Sequence, residues 1–184
     1  MQKIYEARAP SPDGKRMIKA LERLLHTPPA NLEIDREKLE MILVGFSNSQ
    51  FIDLATIGRS IDDPAGYILF IDQTTLDVST STYGGLFKGT GTIVNPKDLC
   101  ELQDYQAFNG EGNHIHVGMM DSFVHDMGIG TALIEYLQQR PDTCLIEGFA
   151  FGKKAHTFLL NRGFLDTGFY DVVKDPFMTW SPNR

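Results

Sequence analysis

Cysteine is scarce in this chain: Cys100 and Cys144 are the two it has among 184 residues. Two thiols make neither a disulfide framework nor a paired-cysteine metal site. Cys144 lies in an apolar run and reads as a buried, reduced thiol. Long hydrophobic stretches are also missing, and no run approaches the roughly 20 residues that a membrane helix needs, so no membrane partner is expected. Positive charge is in deficit, with 17 Lys and Arg against 24 Asp and Glu. No basic cluster offsets that balance, which argues against nucleic acid as a partner. The segment Met1–Lys15 is polar and contains Pro10 and Pro12. It does not read as a signal peptide, and a cytoplasmic protein is expected.

What remains is ordinary globular patterning. Hydrophobic residues at 42% and charged residues at 22% suit one soluble domain, residues 1–184, with a sizeable core. From Asp13 to His26, the residues Met17, Ile18, Leu21, Leu24 and Leu25 fall on one helical face, and Pro28-Pro29 stops the helix. Asp35 reads as the cap of a second helix, with Lys38 in the cap-plus-three position and Leu39, Ile42, Leu43 and Phe46 as its apolar stripe. Residues 1–48 are thus expected to form a helical portion ahead of any strand. Strands are expected over Phe51–Ile57 and Tyr67–Ile71, separated by a turn at Asp62–Gly66. The Leu76–Gly91 stretch reads as an irregular strand pair or a loop on the substrate side. Pro96–Tyr105 reads as a short helix behind Asn95, and Asn109–Gly112 as a turn.

The strongest local signal is His125-Asp126-Met127-Gly128-Ile129-Gly130-Thr131. A strand-like run, His114 to Met120, leads into it, and Ala132, Leu133, Tyr136 and Leu137 follow at helical spacing. A strand that feeds a glycine turn opening a helix is a ready anion site. The first-turn N–H groups have no intrahelical acceptor, the helix dipole is positive there, and glycine lets the backbone approach a phosphate. A phosphorylated ligand is expected at this turn. Downstream, Cys144–Phe151 reads as a buried strand and Lys153–Asn161 as a helix closed by Gly163. Leu165–Trp180 reads as two short strands broken near Asp175-Pro176.

This order of elements resembles the GCN5-related N-acetyltransferases. Their first signature is Arg or Gln, two residues, Gly, one residue, then Gly or Ala; here it stands as His125-x-x-Gly128-x-Gly130. Their second is a helix with a small residue, a hydrophobic pair and a terminal Gly-Phe, matched by Ala155, Phe158-Leu159 and Gly163-Phe164. The resemblance implies an α/β fold with a mixed, mainly antiparallel sheet flanked by helices on both faces. Residues 113–165 would be the acetyl-CoA-binding core. It implies acetyl-CoA as co-substrate, transfer of the acetyl group to a small-molecule or peptide amine by direct attack, no metal, and a homodimer as a candidate assembly. The turn His125–Thr131 would hold the pyrophosphate, with Asp126, Met127 and Ile129 as part of the cradle and Phe158 also on the cofactor. Backbone groups at Met120, Asp121 and Ser122 would pair with the pantetheine arm, and an N–H near Met120 would polarise the thioester carbonyl.

Three departures stand out. His125 occupies the place of a long Arg or Gln, and Gly152 the place of an Asn. Leu159 stands where a Tyr usually protonates the departing thiolate. The resemblance places the general base at His114, with His116 on the same strand face and Glu147 on the next strand as further candidates. A neutral imidazole suits deprotonation of an ammonium near pH 7, and a carboxylate in so apolar a run would have its pKa raised. Each also has a plain reading, the histidines as polar residues of a half-exposed strand and Glu147 as a member of a structural pair. His-x-His is half a metal site, but no third ligand is evident. Two rivals to an enzyme remain: a non-catalytic acyl-CoA sensor on the same fold, and a generic nucleotide-phosphate binder.

Overall fold

The computed structural model of the protein describes residues 2–49, 52–72, 113–141, 143–171 and 173–182. The loop expected over Leu76–Gly91, the helix over Pro96–Tyr105 and the turn Asn109–Gly112 lie outside the described residues. The chain divides into two compact units, Met1–Ile71 with Val117–Tyr136, and Asp72–His116 with Leu137–Arg184. Among the described residues, seven strands form one mostly antiparallel sheet, with four helices.

The first unit opens with strand β1 (Lys3–Arg8), helix α1 (Pro12–His26) and helix α2 (Arg36–Ser47). Ser11 caps α1, its hydroxyl accepting from Gly14 N–H at 3.0 Å, and Pro12 occupies the first turn. Asp35 caps α2 through Lys38 N–H at 3.1 Å. Met17, Leu21, Leu39, Ile42 and Phe46 are fully buried, at about 1.5–3 kcal/mol each. Strands β2 (Asp53–Ser60) and β3 (Asp63–Asp72) form an antiparallel hairpin, and β1 pairs antiparallel with β2.

Two expectations fail here. Residues 1–48 are not purely helical, because β1 precedes α1. Lys3–Arg8 alternates poorly and is half-exposed, as an outer strand can be when one neighbour supplies its hydrogen bonds. Its end is fixed by Arg8, whose Nε and Nη2 both donate to Asp53 at 2.9 Å, two residues paired across the strands. Nor is Asp62–Gly66 a turn. The chain reverses at Ile61-Asp62, and Asp63–Gly66 already belong to β3. Pro64 is tolerated because the register shifts beside it, opposite Gly58.

Strand β4 (Asn113–Ser122) is shared, Val117–Ser122 lying in the first unit and Asn113–His116 in the second. Helix α3 (Ile129–Gln138) follows. A Cβ on Gly66 would come within 2.5 Å of the Ile129 side chain and 2.8 Å of Asp121 O, so glycine there lets β3 lie close to the head of α3. The second unit continues with β5 (Thr143–Phe149), α4 (Gly152–Leu160), β6 (Leu165–Tyr170) and β7 (Pro176–Trp180). β7 pairs antiparallel with both β5 and β6, which completes the order β1-β2-β3-β4-β5-β7-β6. Asp175 Oδ1 accepts from Gly152 N–H at 2.8 Å, holding the start of α4. Gly163 N–H to Leu160 O and Phe164 N–H to Leu159 O close its end in a Schellman arrangement, with Gly163 at φ +82°. The Gly163-Phe164 pair is therefore a helix stop whose phenylalanine is buried.

Candidate functional site

In the first unit, β4 ends at Ser122 and the chain turns through Phe123–Gly128 into α3. Phe123 is the anchor. It is buried, its ring centroid lies 5.5 Å from that of Tyr67, and its N–H donates to Ala65 O at 2.8 Å. Ile129, 2% exposed, is the second anchor, and between these two the turn stands in solvent. Asp126 and Gly128 both have positive φ, +58° and +70°. A Cβ on Gly128 would meet nothing within 4 Å, so open space lies beside the backbone where the helix begins. The first helical bond, Ala132 N–H to Gly128 O at 2.9 Å, leaves the preceding N–H groups outside the helical ladder. Met127 is exposed, and Gly130 and Thr131 are half-buried.

Side chains around the turn are engaged with one another. His125 Nε2 lies 2.7 Å from Glu33 Oε2, and Glu33 N–H donates to Phe123 O at 3.0 Å. Ser122 N–H donates to Asp121 Oδ1 at 2.9 Å, and Ser122 Oγ to Val124 O at 2.7 Å. Lys38 Nζ sits 3.8 Å from Asp121 Oδ2 and 3.8 Å from Asp35 Oδ2. Tyr67 is fully buried, and its hydroxyl has no hydrogen-bond partner among the described residues. Burial raises its pKa above the usual phenol value, and the charges of Asp121 and Asp35 add to the rise. None of Glu33, Lys38 and Tyr67 stood out in the sequence as a site residue. Only Lys38 carried a local hint, its place three residues after the Asp35 cap.

In the second unit, His116 on β4 and Glu147 on β5 meet, Nδ1 to Oε1 at 3.0 Å. Both are buried, Glu147 completely and His116 to 7% exposure. Burial lowers the His116 pKa to about 4, so the imidazole is neutral at physiological pH. The sequence named these two residues separately, and the structure joins them. His114 lies on β4, but its side chain is outside the described residues. Phe158 is half-buried on α4, with the Arg162 guanidinium 5.5 Å over its ring, and Leu159 beside it is half-buried as well.

Solved structures with this arrangement of elements decide the fold. An arylalkylamine N-acetyltransferase like 5b from mosquito superposes with a TM-score of 0.56 at 10% identity, over 98% of this chain and 100% of that one. A histone acetyltransferase HPA2 and related acetyltransferase from Corynebacterium glutamicum gives 0.56 at 14% identity, over 100% and 97%. The chain has the fold of the GCN5-related N-acetyltransferases. A third structure of this GNAT fold, the Bacillus subtilis N-acetyltransferase YlbP in complex with coenzyme A, gives 0.50 at 14% identity, over 100% and 98%. No family model matches the sequence, and no curated protein matches it. At these identities the likeness establishes the GNAT fold and leaves the chemistry to be argued from the residues.

Proposed function

We propose that the protein is an acetyl-CoA-dependent N-acetyltransferase acting on an amine of a small molecule or peptide. The observation that carries the reading is the turn before α3, an open, glycine-containing helix head on a GNAT fold, with free space beside Gly128. The pyrophosphate of acetyl-CoA lies against the N–H groups of Gly128–Thr131, where the helix dipole favours an anion. The arm runs along Met120, Asp121 and Ser122, and the Met120 N–H polarises the thioester carbonyl. One such donor is worth about 3–4 kcal/mol of transition-state stabilisation.

The acceptor nitrogen then attacks the carbonyl carbon directly, the C–S bond breaks, and CoA leaves as a thiolate. His116 takes the amine proton at Nε2, and Glu147, 3.0 Å from Nδ1, fixes the tautomer and the orientation of the ring. This is the role of a carboxylate behind a histidine in acyl-transfer enzymes. Leu159 has no proton to give, so the thiolate is protonated by water.

Leu159 also favours a second reading, an acyl-CoA sensor that binds without turnover. Isothermal titration with acetyl-CoA followed by a CoA-release assay over a panel of amines separates the two. Binding with turnover on at least one amine supports the enzyme, and binding without turnover on any supports the sensor. No CoA binding overturns both.

A further inference from the structure

The connection between α1 and α2 is fastened to the glycine turn within the first unit. Glu33 holds it twice, by its N–H on Phe123 O at 3.0 Å and by its carboxylate on His125 Nε2 at 2.7 Å. Lys38, at the start of α2, reaches Asp121 on the strand side of the turn. His125 is thus already occupied by an anion, in a molecule whose turn is read above as an anion site.

We infer that Glu33 is a positioning residue that competes with the phosphates of CoA for His125, so that cofactor binding releases the Glu33 side chain. The inference rests on the turn being the CoA site. Its physical basis is the valence of imidazole. Each ring nitrogen carries at most one hydrogen, so Nε2 serves one acceptor at a time, whereas a guanidinium offers five donors and a primary amide two. An Arg or Gln in this place could hold Glu33 and a phosphate together; His125 has to choose. The exchange is within reach energetically, because both partners are exposed, at 62% for His125 and 78% for Glu33. Exposed pairs are weak, and a pyrophosphate carries more charge than one carboxylate. The backbone link from Glu33 to Phe123 does not involve His125 and survives the exchange. Filling the cofactor site therefore frees a carboxylate at the loop leading into α2 without detaching the loop.

The test is a double-mutant cycle on the affinity for CoA itself, by isothermal titration at low salt, with thermal unfolding of every variant as a check on folding. Glu33→Gln keeps the size of the side chain and removes its charge. It should tighten CoA binding roughly two- to fivefold, the scale of an exposed ion pair. In a His125→Ala background the same change should fall below about twofold, and Glu33→Asp should restore the parent affinity. An unchanged dissociation constant in Glu33→Gln overturns the inference. So does an equal gain in both backgrounds, which would mean that Glu33 acts on the phosphates without His125. Loss of CoA binding in the parent protein would instead overturn the functional reading itself.

Discussion

The glycine turn and the His116–Glu147 pair put two opposite environments at the service of one proposed reaction. The turn is held by two buried anchors, Phe123 and Ile129, and His125–Gly128 between them are exposed. In the proposed function its chemistry resides in backbone N–H groups, so side chains such as Met127 should tolerate substitution. The pair is the reverse: two ionisable side chains with almost no exposure, 3.0 Å apart on β4 and β5. A backbone cradle tolerates a substituted His125, whereas a buried pair tolerates the loss of neither member, since each is the other's compensation for leaving water. Substitution in the pair should therefore be far more damaging than substitution of a turn side chain.

The largest effect expected is on turnover. Glu147→Gln keeps the volume and a hydrogen-bonding group facing His116 Nδ1 but removes the carboxyl group that sets the imidazole tautomer. It should lower kcat/KM for the best amine by about 10²–10⁴, the usual range for general acid–base groups. Its affinity for CoA should stay within about twofold of the parent by titration calorimetry. A joint loss of turnover and CoA binding would mean that the pair is structural.

The second effect is on stability in acid. His116 is held near a pKa of about 4, below the ordinary value of 6.5. The unfolded chain therefore binds a proton that the folded chain refuses between those two values. Stability is complete above about pH 6.5 and falls as pH drops toward 4, by an amount on the order of 3 kcal/mol. Urea unfolding at pH 7, 5.5 and 4.5 reads it, and His116→Gln should flatten that part of the profile. A parent profile that is flat from 7 to 4.5 would show that His116 is not held neutral.

This contrast also explains what could be read in the sequence. The strand, glycine turn and helix were legible because their signals are local: strand-forming residue types in His114–Met120, glycines at the turn, and Leu133 and Leu137 one turn apart. The cap at Asp35 and the stop at Gly163 were legible for the same reason. β1 was not, because an edge strand needs no apolar alternation. Its place is fixed by Asp53, which lies 45 residues from Arg8. The start of β3 was hidden by Pro64, which reads as a turn unless the bulge opposite it is known. Both pairs are non-local, His116 and Glu147 lying 31 positions apart in sequence and Glu33 and His125 92. Residue type made His116 and Glu147 candidates, but only the strand register joins them. Nothing in the neighbourhood of Glu33 marks it at all.

The turn itself should break through its backbone. Gly128→Ala places an L-residue at φ +70°, which costs about 1–2 kcal/mol. The added Cβ meets no protein atom, so the penalty is conformational within the protein and steric only toward a ligand. CoA affinity should fall roughly tenfold, while the loss of stability stays within that 1–2 kcal/mol. Parent affinity in Gly128→Ala would move the anion site away from this turn.

The smallest effect should come from the side chain that departs furthest from the resembled signature. His125 is exposed and already paired with Glu33, and exposed pairs contribute about 0–1 kcal/mol. In the parent background, His125→Ala should shift CoA affinity by less than about threefold, because the phosphate contact that Nε2 gains on binding is offset by the Glu33 contact it gives up. A change as large as that of Gly128→Ala would place the binding energy in the side chain. The turn would then resemble the buried pair, dependent on a particular side chain instead of on the path of the backbone.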